Sequence, residues 1–414
     1  MAEELAYLHL AHLHALAAQL GVPRFRMLRR EDLVREIEAR RTEGEPPRER
    51  EREALEPERT EEVTGVLEVT RERYGFLRLG GLVPREDDVY ISASQIRRCE
   101  LRPGDEVSGP ARDPRRGERH RALIHVDRVN GAEPITEGRP SFDELTPVLP
   151  RCRVALDRDP ADLLTRAVDL LAPLALGQRV LVVAAPRSGR TTLLRGIARA
   201  IASANVQELV VLLIDERPEE ATAWREAVPG AEIASATAEL APAEQLRLAE
   251  LALERARRRA EAGADAVLIV DSLSRLAVAA QAAEGRGPAA DAAEVKRLFG
   301  SGRDLAEEGA GSLTVIATVV AGAEDDGAAE RAVITTESSL IKLDPALAAA
   351  GIVPALRPGE CRVSNEEELR GPEELAAARR LRSLLGDLDA AEAASLLRGR
   401  IERSSSNAHL LESL

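Results

Sequence analysis

Lysine and aromatic residues are both scarce in this sequence of 414 residues. Only Lys296 and Lys342 are lysine among 57 basic residues, and phenylalanine, tyrosine and tryptophan together make up 2% of the chain. Arginine therefore supplies nearly all of the positive charge. A cluster of aromatic side chains is informative wherever it occurs.

Cysteine and long apolar runs are also lacking. Cys99, Cys152 and Cys361 lie far apart without a CxxC pair, which argues against a disulfide framework and against a zinc site built on thiolates. No apolar run approaches the roughly 18 residues of a membrane helix, and the first residues lack the pattern of a secretory signal. We therefore expect a cytoplasmic protein of two or three domains that does not bind a membrane.

The chain is acidic, with 71 acidic and 57 basic residues and a net charge of −14. A uniformly acidic surface would repel nucleic acid, so any RNA binding requires a local basic patch. The hydrophobic fraction of 44% excludes a wholly disordered chain.

The residue patterns divide the chain into five segments. Residues 1–40 have helical spacing of apolar side chains, whereas residues 41–62 are almost entirely Arg, Glu and Pro and predict a flexible charged linker. Residues 63–131 contain about five short strand patterns, which predict a small β-barrel. After a connector, residues 132–152, the segment 153–414 alternates strand and helix patterns and predicts a mostly parallel sheet, followed by C-terminal amphipathic helices and a polar tail at residues 404–407.

A strand, a turn and a helix are predicted between Val180 and Leu194. In a turn of this kind, backbone N–H groups and the helix N-terminus surround phosphates, and a hydroxyl group reaches Mg²⁺. The match to the pattern GxxxxGK[ST] is imperfect, because alanine stands at the first glycine and Arg190 replaces the lysine. An ordinary strand-to-helix turn remains the alternative for this segment alone.

Two further apolar strands end in carboxylates, Glu216 and Asp271. Carboxylates at the C-terminal ends of parallel strands lie over the ligand crevice. Glu216 is suited to polarise a water for attack on a γ-phosphate, and Asp271 is suited to orient Mg²⁺. Either residue alone could be a helix N-cap, but the three motifs in this order predict an ATPase core.

Three of the eight aromatic residues, Tyr74, Phe76 and Tyr90, occur within the predicted barrel with arginines around them. Single-stranded nucleic acid binds such barrels by stacking its bases on aromatic rings, while cations follow the phosphates. The alternative is that these rings form the core of the barrel.

The sequence resembles the Rho family of transcription termination factors across nearly its whole length. The matching strings are Phe25–Leu33, Gly65–Val69, Tyr74–Arg78, Tyr90–Arg98, Leu101–Asp105, Gly117–Arg119, Leu213–Glu220, Asp271–Leu276, Arg297–Gly300 and Gly311–Thr318. The resemblance implies an N-terminal helical module, an OB or cold-shock-like barrel and a RecA-like P-loop ATPase core. It also implies a homohexameric ring that binds pyrimidine-rich single-stranded RNA, hydrolyses ATP with Mg²⁺ and acts on the RNA polymerase elongation complex.

Site residues follow from the resemblance by position. The RNA-binding residues would be Tyr74, Phe76, Arg78, Tyr90, Arg97 and Arg98. The nucleotide-binding residues would be Leu176, Gly177, Gln178, Arg179, Val180, Arg187, Ser188, Gly189, Arg190, Thr191, Thr192 and Arg217. The catalytic residues would be Glu216, Arg190, Asp271 and Arg362, and the metal ligands would be Thr191 and Asp271.

The sequence departs from the family at several of these positions. Arg187 and Arg190 replace two lysines of the phosphate loop, and a guanidinium is a wider planar fork than an ammonium. The pore segment 281–291 lacks the family's lysine and Thr-Gly-Gly stretch. The second pore loop carries Glu324, Asp325 and Asp326 in place of a lysine, and these acids should repel RNA.

The arginines that act between subunits are also displaced. The position of the finger arginine falls near Ser364, with Arg362 or Arg357 as possible replacements, and Gly351 stands at a second family arginine. The sequence therefore leaves two hypotheses, an active RNA-dependent ATPase or a catalytically impaired paralogue that binds RNA and nucleotide as a regulator. A ring ATPase of the rotary-motor kind would not explain Tyr74 and Phe76.

Overall fold

The structure is a computed structural model in which the chain forms two compact units, Met1–Arg59 and Thr60–Leu414. It describes residues 10–20, 22, 25, 28–42, 60–135, 138–204, 206–283, 290–321 and 327–414.

The first unit contains two helices, α1 (Leu10–Gln19) and α2 (Arg30–Thr42). Their apolar faces meet in a small core, formed by Leu13, Ala17, Val22, Leu33 and Ile37. The helical spacing noted in the sequence is confirmed for these two helices. Residues 43–59, most of the predicted linker, lie outside the described residues.

The second unit begins with a β-barrel. Its elements are β1 (Thr60–Val69), β2 (Gly75–Arg78), β3 (Val89–Ile91), the short helix α3 (Ala93–Arg98), β4 (Glu106–Arg112), β5 (Ala122–Leu123) and β6 (Arg128–Val129). The strands follow the order β1-β2-β3-β5-β4, and β4 pairs again with β1, so the hydrogen-bonded ring closes. The predicted barrel is confirmed.

The first barrel strand starts earlier than the sequence indicated. Thr60 lies opposite Arg112, and the exposed Glu61 and Glu62 also pair with β4. Main-chain hydrogen bonds hold these residues without burying their side chains. An alternating hydrophobic pattern, the usual sign of a strand, is therefore missing from this end.

A large, mostly parallel sheet forms the rest of the unit. Its strands are β7 (Pro147–Val148), β10 (Arg179–Ala184), β11 (Glu208–Glu216), β12 (Glu232–Thr237), β13 (Asp265–Asp271), β14 (Arg303–Leu305), β15 (Ser312–Val320), β16 (Ser339–Lys342) and β17 (Arg362–Val363), and the pair β8 (Arg153–Val154) and β9 (Leu174–Ala175) stands apart. The strand order is β12-β11-β13-β15-β10-β16-β17, and only β17 in this path runs antiparallel.

Helices cover both faces of this sheet. They are α4 (Leu163–Leu171), α5 (Arg190–Ala202), α6 (Pro218–Ala227), α7 (Pro242–Glu261), α8 (Leu273–Ala282), α9 (Ala290–Phe299), α10 (Ala328–Val333), α11 (Pro345–Ala349), α12 (Pro372–Gly386), α13 (Ala390–Glu402) and α14 (Asn407–Glu412). Successive residues of β10 face two different hydrophobic cores, Leu181 the first and Val182 the second. Burial on both faces explains the continuous apolar runs in the sequence.

The end of the chain is more ordered than a polar tail. Asn407 begins α14, and its side-chain amide donates to the carbonyl oxygen of Arg166 at 3.0 Å and to Asp169 Oδ2 at 2.9 Å. Asn407 is buried, so the polar residue that suggested a loose tail ties α14 to α4.

The barrel rests on helix α7, which packs on the large parallel sheet. Arg255 on α7 donates to Glu106 of β4 at 2.8 Å and to Glu208 of β11 at 3.0 Å. A Cβ atom on Gly104, which has φ of +85°, would lie 2.3 Å from the backbone of Glu254. The absence of a side chain at Gly104 therefore allows the barrel to approach the helix backbone closely.

Candidate functional site

A cavity of about 740 Å³ opens at the C-terminal ends of β10, β11 and β13. Its lining includes Ala185, Pro186, Arg187, Gly189, Arg190, Thr191, Thr192, Asp215, Glu216, Arg217, Glu220, Ser274 and Arg275. The three motifs predicted from the sequence therefore meet at one edge of the sheet, where ligands bind in folds of this type.

The turn before α5 has the geometry of an anion-binding loop. Arg187 and Gly189 adopt positive φ angles of +61° and +89°, and Ser188 closes the turn with a hydrogen bond of 2.7 Å to the carbonyl oxygen of Ala185. Helix α5 begins at Arg190 and has no acidic residue in its first turn. Its free N–H groups and the positive end of its dipole lie at a cavity that Arg187 and Arg190 line.

Arg190 forms ion pairs with both of the predicted acids. Its Nη2 lies 3.4 Å from Glu216 Oε1, and its Nε lies 3.1 Å from Asp271 Oδ1. The three side chains predicted from distant parts of the sequence are thus in direct contact. The guanidinium is wide enough to reach both carboxylates at once.

Glu216 lies at the end of β11, just after an irregularity at which Asp215 has φ of +54°. Burial raises the pKa of Glu216, the Arg275 guanidinium opposes that shift, and the Asp271 carboxylate adds to it. Arg275 contacts Glu216 Oε1 and also donates to the carbonyl oxygen of Ile214 at 3.3 Å. Sequence reasoning missed Arg275, although it follows Asp271 by four residues within a matching string.

Asp271 is 2% exposed, at the end of β13. Thr318 on the neighbouring strand β15 donates its hydroxyl hydrogen to Asp271 Oδ1 at 3.0 Å. This bond fixes the carboxylate from the side of the sheet. Only the fold brings Thr318 to this position, because 47 residues separate it from Asp271.

The segment Leu176–Val180 is not among the residues that line the cavity. Arg179 starts β10, whereas the phosphate loop follows the other end of that strand. Gln178 is buried and accepts from the Ala175 N–H at 3.0 Å, and the Gly177 N–H donates to Thr314 at 2.8 Å. These contacts stabilise the segment as a turn at the N-terminal end of β10, opposite the end at which the phosphate loop follows.

The candidate finger residue Arg362 lies on the edge strand β17. It is exposed, and its Nη2 lies 2.5 Å from Glu337 Oε1. Arg357 is paired with Asp344 and Glu360, both at 2.8 Å. Residues 284–289 of the first pore segment and residues 322–326 of the second, including Glu324, Asp325 and Asp326, lie outside the described residues.

The barrel carries an aromatic cluster on its outer face. Phe76 of β2 lies directly opposite Tyr90 of β3, and their ring centres are 6.2 Å apart. The Tyr74 ring lies 5.9 Å from Phe76 and 5.6 Å from Tyr90. All three rings are half-buried and none belongs to the barrel core, in which Leu77 and Val89 pack instead. This placement favours a stacking surface over the core alternative.

Arg78 is less accessible than expected for an RNA contact. It is buried between Glu68, at 2.5 Å from Nη2, and Asp88, at 2.5 Å from Nη1. Its guanidinium carbon also lies 5.4 Å from the centre of the Phe76 ring. Arg78 thus supports the aromatic face from within. Arg97 and Arg98, on α3, are exposed.

A second cavity, of about 360 Å³, adjoins the aromatic face. Its lining is Tyr90, Arg112, Glu118, Arg119, His120 and Ala122. The His120 ring lies 5.0 Å from Phe76. A hydrogen bond from Arg112 lowers the pKa of Glu118 to about 2, so this carboxylate is ionised at neutral pH. Sequence reasoning missed Glu118 and His120 as site residues.

Comparison with known proteins identifies both halves of this architecture. Residues 63–135 match the RNA-binding domain of the Rho termination factor, and residues 165–362 match the nucleotide-binding domain of the ATP synthase alpha/beta family. A curated relative from Aquifex aeolicus, named transcription termination factor Rho, is 38% identical over 100% of this chain and 95% of its own length. The chain belongs to the Rho family.

Other Rho proteins show the same relationship. The Bacillus subtilis protein is 41% identical over 75% of this chain and 75% of its own length. The Streptomyces lividans protein is 40% identical over 84% of this chain, which spans 51% of that longer relative. The expected family, RNA-binding domain and ATP-binding core are confirmed, and the comparisons give no support to the catalytically impaired alternative.

Solved structures resemble the Rho core at the level of the fold. A type III secretion ATPase has a TM-score of 0.54 and 21% identity, covering 70% of this chain and 93% of its own. The ATP synthase subunit NeqB gives the same TM-score at 15% identity and covers 69% of this chain and 81% of its own. Within the part of the chain that the structure describes, no helix combines the length and apolarity needed to cross a membrane.

Proposed function

We propose that the protein is an RNA-dependent ATPase that terminates transcription by moving along nascent single-stranded RNA and releasing it. The observation that carries this proposal is the convergence of Arg190, Glu216 and Asp271 at one cavity beside an anion-binding loop. The aromatic face of the barrel in the same unit supplies the second element, a stacking surface for RNA bases.

In this proposal the phosphate loop binds the nucleotide. Residues Arg187, Ser188, Gly189, Arg190, Thr191 and Thr192 surround the phosphates, and Arg217, which is exposed at the cavity between β11 and α6, contacts the nucleotide. The N–H groups at the start of α5 have no partners within the helix, and phosphate oxygens can accept hydrogen bonds from them. Leu176–Val180 support the strand that leads to this loop.

Glu216 is the group proposed to polarise the attacking water. The carboxylate lies at the cavity and has a raised pKa, caused first by burial. A raised pKa makes a carboxylate a better proton acceptor, provided it stays ionised at the working pH. In the nucleotide-free site Arg190 and Arg275 both contact this carboxylate and favour its charged form.

The donor set at the cavity fits Mg²⁺. Thr191 supplies a hydroxyl oxygen and Asp271 supplies a carboxylate oxygen, and hard cations such as Mg²⁺ prefer oxygen ligands together with substrate phosphates. When bound, the ion would neutralise charge on the phosphate oxygens. Thr318 holds Asp271 in place for this role.

The second cavity would bind a base of the RNA, and its charge favours cytosine. A volume of about 360 Å³ beside Tyr90 and His120 leaves room for one base. The ionised Glu118 can accept a hydrogen bond from the amino group of cytosine. Tyr74 and Phe76 would stack adjacent bases, and the exposed Arg97 and Arg98 would contribute positive charge to the same barrel.

The family relationship supports two further parts of the proposal, a homohexameric ring and an interaction with the RNA polymerase elongation complex. In a ring, Arg362 on the edge strand β17 would act on the nucleotide of the neighbouring subunit. It would first have to leave Glu337, its ion-pair partner within the subunit. The ion pair between Arg362 and Glu337 would therefore break only when the neighbouring subunit offers Arg362 a nucleotide to contact.

The experiment that tests the proposal measures ATP hydrolysis by the purified chain with and without cytidine-rich RNA. We expect RNA-stimulated turnover that is absent in Glu216→Gln, while Glu216→Gln still binds ATP. Because the substitution keeps size and removes only the carboxylate, it also controls for a contaminating ATPase. Turnover no higher than in this control, with RNA still bound, would contradict the proposal and favour the regulatory alternative.

A further inference from the structure

One side chain of the phosphate loop, Arg190, contacts both carboxylates that are proposed to act in catalysis. Its Nη2 lies 3.4 Å from Glu216 Oε1, and its Nε lies 3.1 Å from Asp271 Oδ1, an ion pair without a hydrogen bond. A lysine ammonium is a single compact group, whereas a guanidinium spreads its charge and its N–H donors over a wider planar fork. Arginine at this position can therefore bridge the two acids simultaneously.

The two acids need such a counter-charge. The side chains of Glu216 and Asp271 are 14% and 2% exposed, so water screens them poorly. The charge of Asp271 disfavours the ionised form of Glu216. A guanidinium between them, itself 15% exposed, relieves the repulsion between the like charges.

We propose that Arg190 is a positioning residue that clamps Glu216 and Asp271 together in the nucleotide-free site and is drawn off them by the phosphates of an incoming nucleotide. The proposal rests on the proposed function in so far as the cavity binds a nucleotide. In this proposal Arg190 contacts the two carboxylates when the site is empty and the phosphates when a nucleotide is bound.

Release by phosphate follows from charge and geometry. Phosphate oxygens carry more negative charge than a carboxylate pair and form bidentate contacts with a guanidinium. The start of α5 and Arg187 hold those phosphates beside Arg190. Once Arg190 has moved, Glu216 keeps Arg275 as its remaining cationic partner and is free to bind a water molecule.

A thermodynamic cycle on the full chain tests the clamp through ADP binding in EDTA, where no turnover occurs. Four proteins are compared by calorimetry: the unmodified chain, Glu216→Gln, Arg190→Lys and the double variant. Lysine keeps the positive charge but cannot bridge the two acids. Glu216→Gln removes a negative charge that repels phosphate, and this effect should be similar whether residue 190 is arginine or lysine. Any difference between the two changes in ADP affinity therefore measures the contact by which Arg190 bridges the acids.

We expect Glu216→Gln to raise ADP affinity about fivefold more in the Arg190 background than in the Arg190→Lys background. Equal effects in the two backgrounds would overturn the clamp. Glu220→Gln is the matched control, because Glu220 lines the same cavity but pairs with Arg195 at 2.8 Å. Its effect on ADP affinity should be the same in both backgrounds.

Thermal unfolding of the same four proteins provides a second readout. Without nucleotide, the unfolding data should show that Arg190 and Glu216 stabilise the protein together by more than the sum of their separate effects. Saturation with ADP should abolish this coupling. A coupling that persists unchanged in ADP would also overturn the clamp. If both tests show the coupling but the chain has no RNA-stimulated ATP hydrolysis, the proposed function is contradicted and the clamp is not. If the chain hydrolyses ATP but shows no coupling, the clamp is contradicted and the proposed function is not.

Discussion

Glu232 is a residue through which pH should act on the stability of the second unit. It begins β12, close to Arg255 and to the carboxylates of Glu208 and Glu106 at the junction of barrel and core. Its Oε1 is shielded from solvent and has no hydrogen-bond partner among the described residues. We expect Glu232→Gln to stabilise the protein at alkaline pH, because it replaces a buried carboxylate with a neutral amide of the same size.

The magnitude follows from the pKa of Glu232. Burial, followed by the charge of Glu208, raises this pKa from 4.5 to about 7, while Arg255 opposes the shift. Because the folded protein binds the proton more tightly than the unfolded chain, the contribution to stability is complete below pH 4.5 and is lost as the pH rises through 7. The total loss is about 3 kcal/mol, of which about 2 kcal/mol falls between pH 5 and pH 8.

The assay is denaturant unfolding of the unmodified chain and of Glu232→Gln at pH 5 and pH 8. The stabilising effect of the substitution should be about 2 kcal/mol larger at pH 8 than at pH 5. Glu239→Gln, at an exposed position after the same strand, serves as the control and should show no such difference. A pH-independent effect of Glu232→Gln would refute the assignment of a raised pKa to this carboxyl group.

Two further predictions concern the RNA surface and the barrel junction. Phe76→Ala should weaken binding of cytidine-rich RNA by about 1 to 3 kcal/mol in a fluorescence titration, because one stacking ring is lost; Leu384→Ala, at an exposed leucine of α12, is the control, and undiminished binding by Phe76→Ala would return Phe76 to a purely structural role. Gly104→Ala should lower the free energy of unfolding by about 2 kcal/mol or more, since its Cβ would lie 2.3 Å from the Glu254 backbone. Gly131→Ala is the control, because Gly131 has φ of +82° and an added Cβ would have no atom within 4 Å, so only backbone strain is measured. An equal loss of unfolding free energy in both variants would show that the close approach of Gly104 to α7 is unimportant.

The sequence was sufficient to predict the main elements of the nucleotide site. Glu216 and Asp271 end long apolar strands, and parallel strands bring their C-terminal ends to one edge, so the strand pattern alone predicts that the two carboxylates are close. The sequence also indicated the aromatic cluster of the barrel, because the chain has so few aromatic residues that three close together stand out. Only the register of β2 and β3 shows that Phe76 and Tyr90 lie opposite each other outside the barrel core, which favours the proposed stacking surface.

Other features could not be predicted because they depend on pairing across the fold. The sequence pattern indicates a free cation at Arg78 beside the aromatic rings, and only the pairing of the strands shows that Glu68 and Asp88 neutralise it. The segment Leu176–Val180 precedes the phosphate loop in the chain, but the six-residue strand β10 places the start of this segment and the loop at opposite ends of the strand. Proximity in sequence is a poor guide to distance along an extended strand.

The near-absence of lysine has a consequence for covalent regulation of the nucleotide site. A phosphate loop built on lysine can be switched off by acetylation, which removes the positive charge of the amine. Neither Lys296 nor Lys342 lines the nucleotide cavity, whose cations are arginines. The metabolic acylating agents that modify amines therefore leave the positive charge of this cavity unchanged, and its removal requires chemistry directed at guanidinium groups.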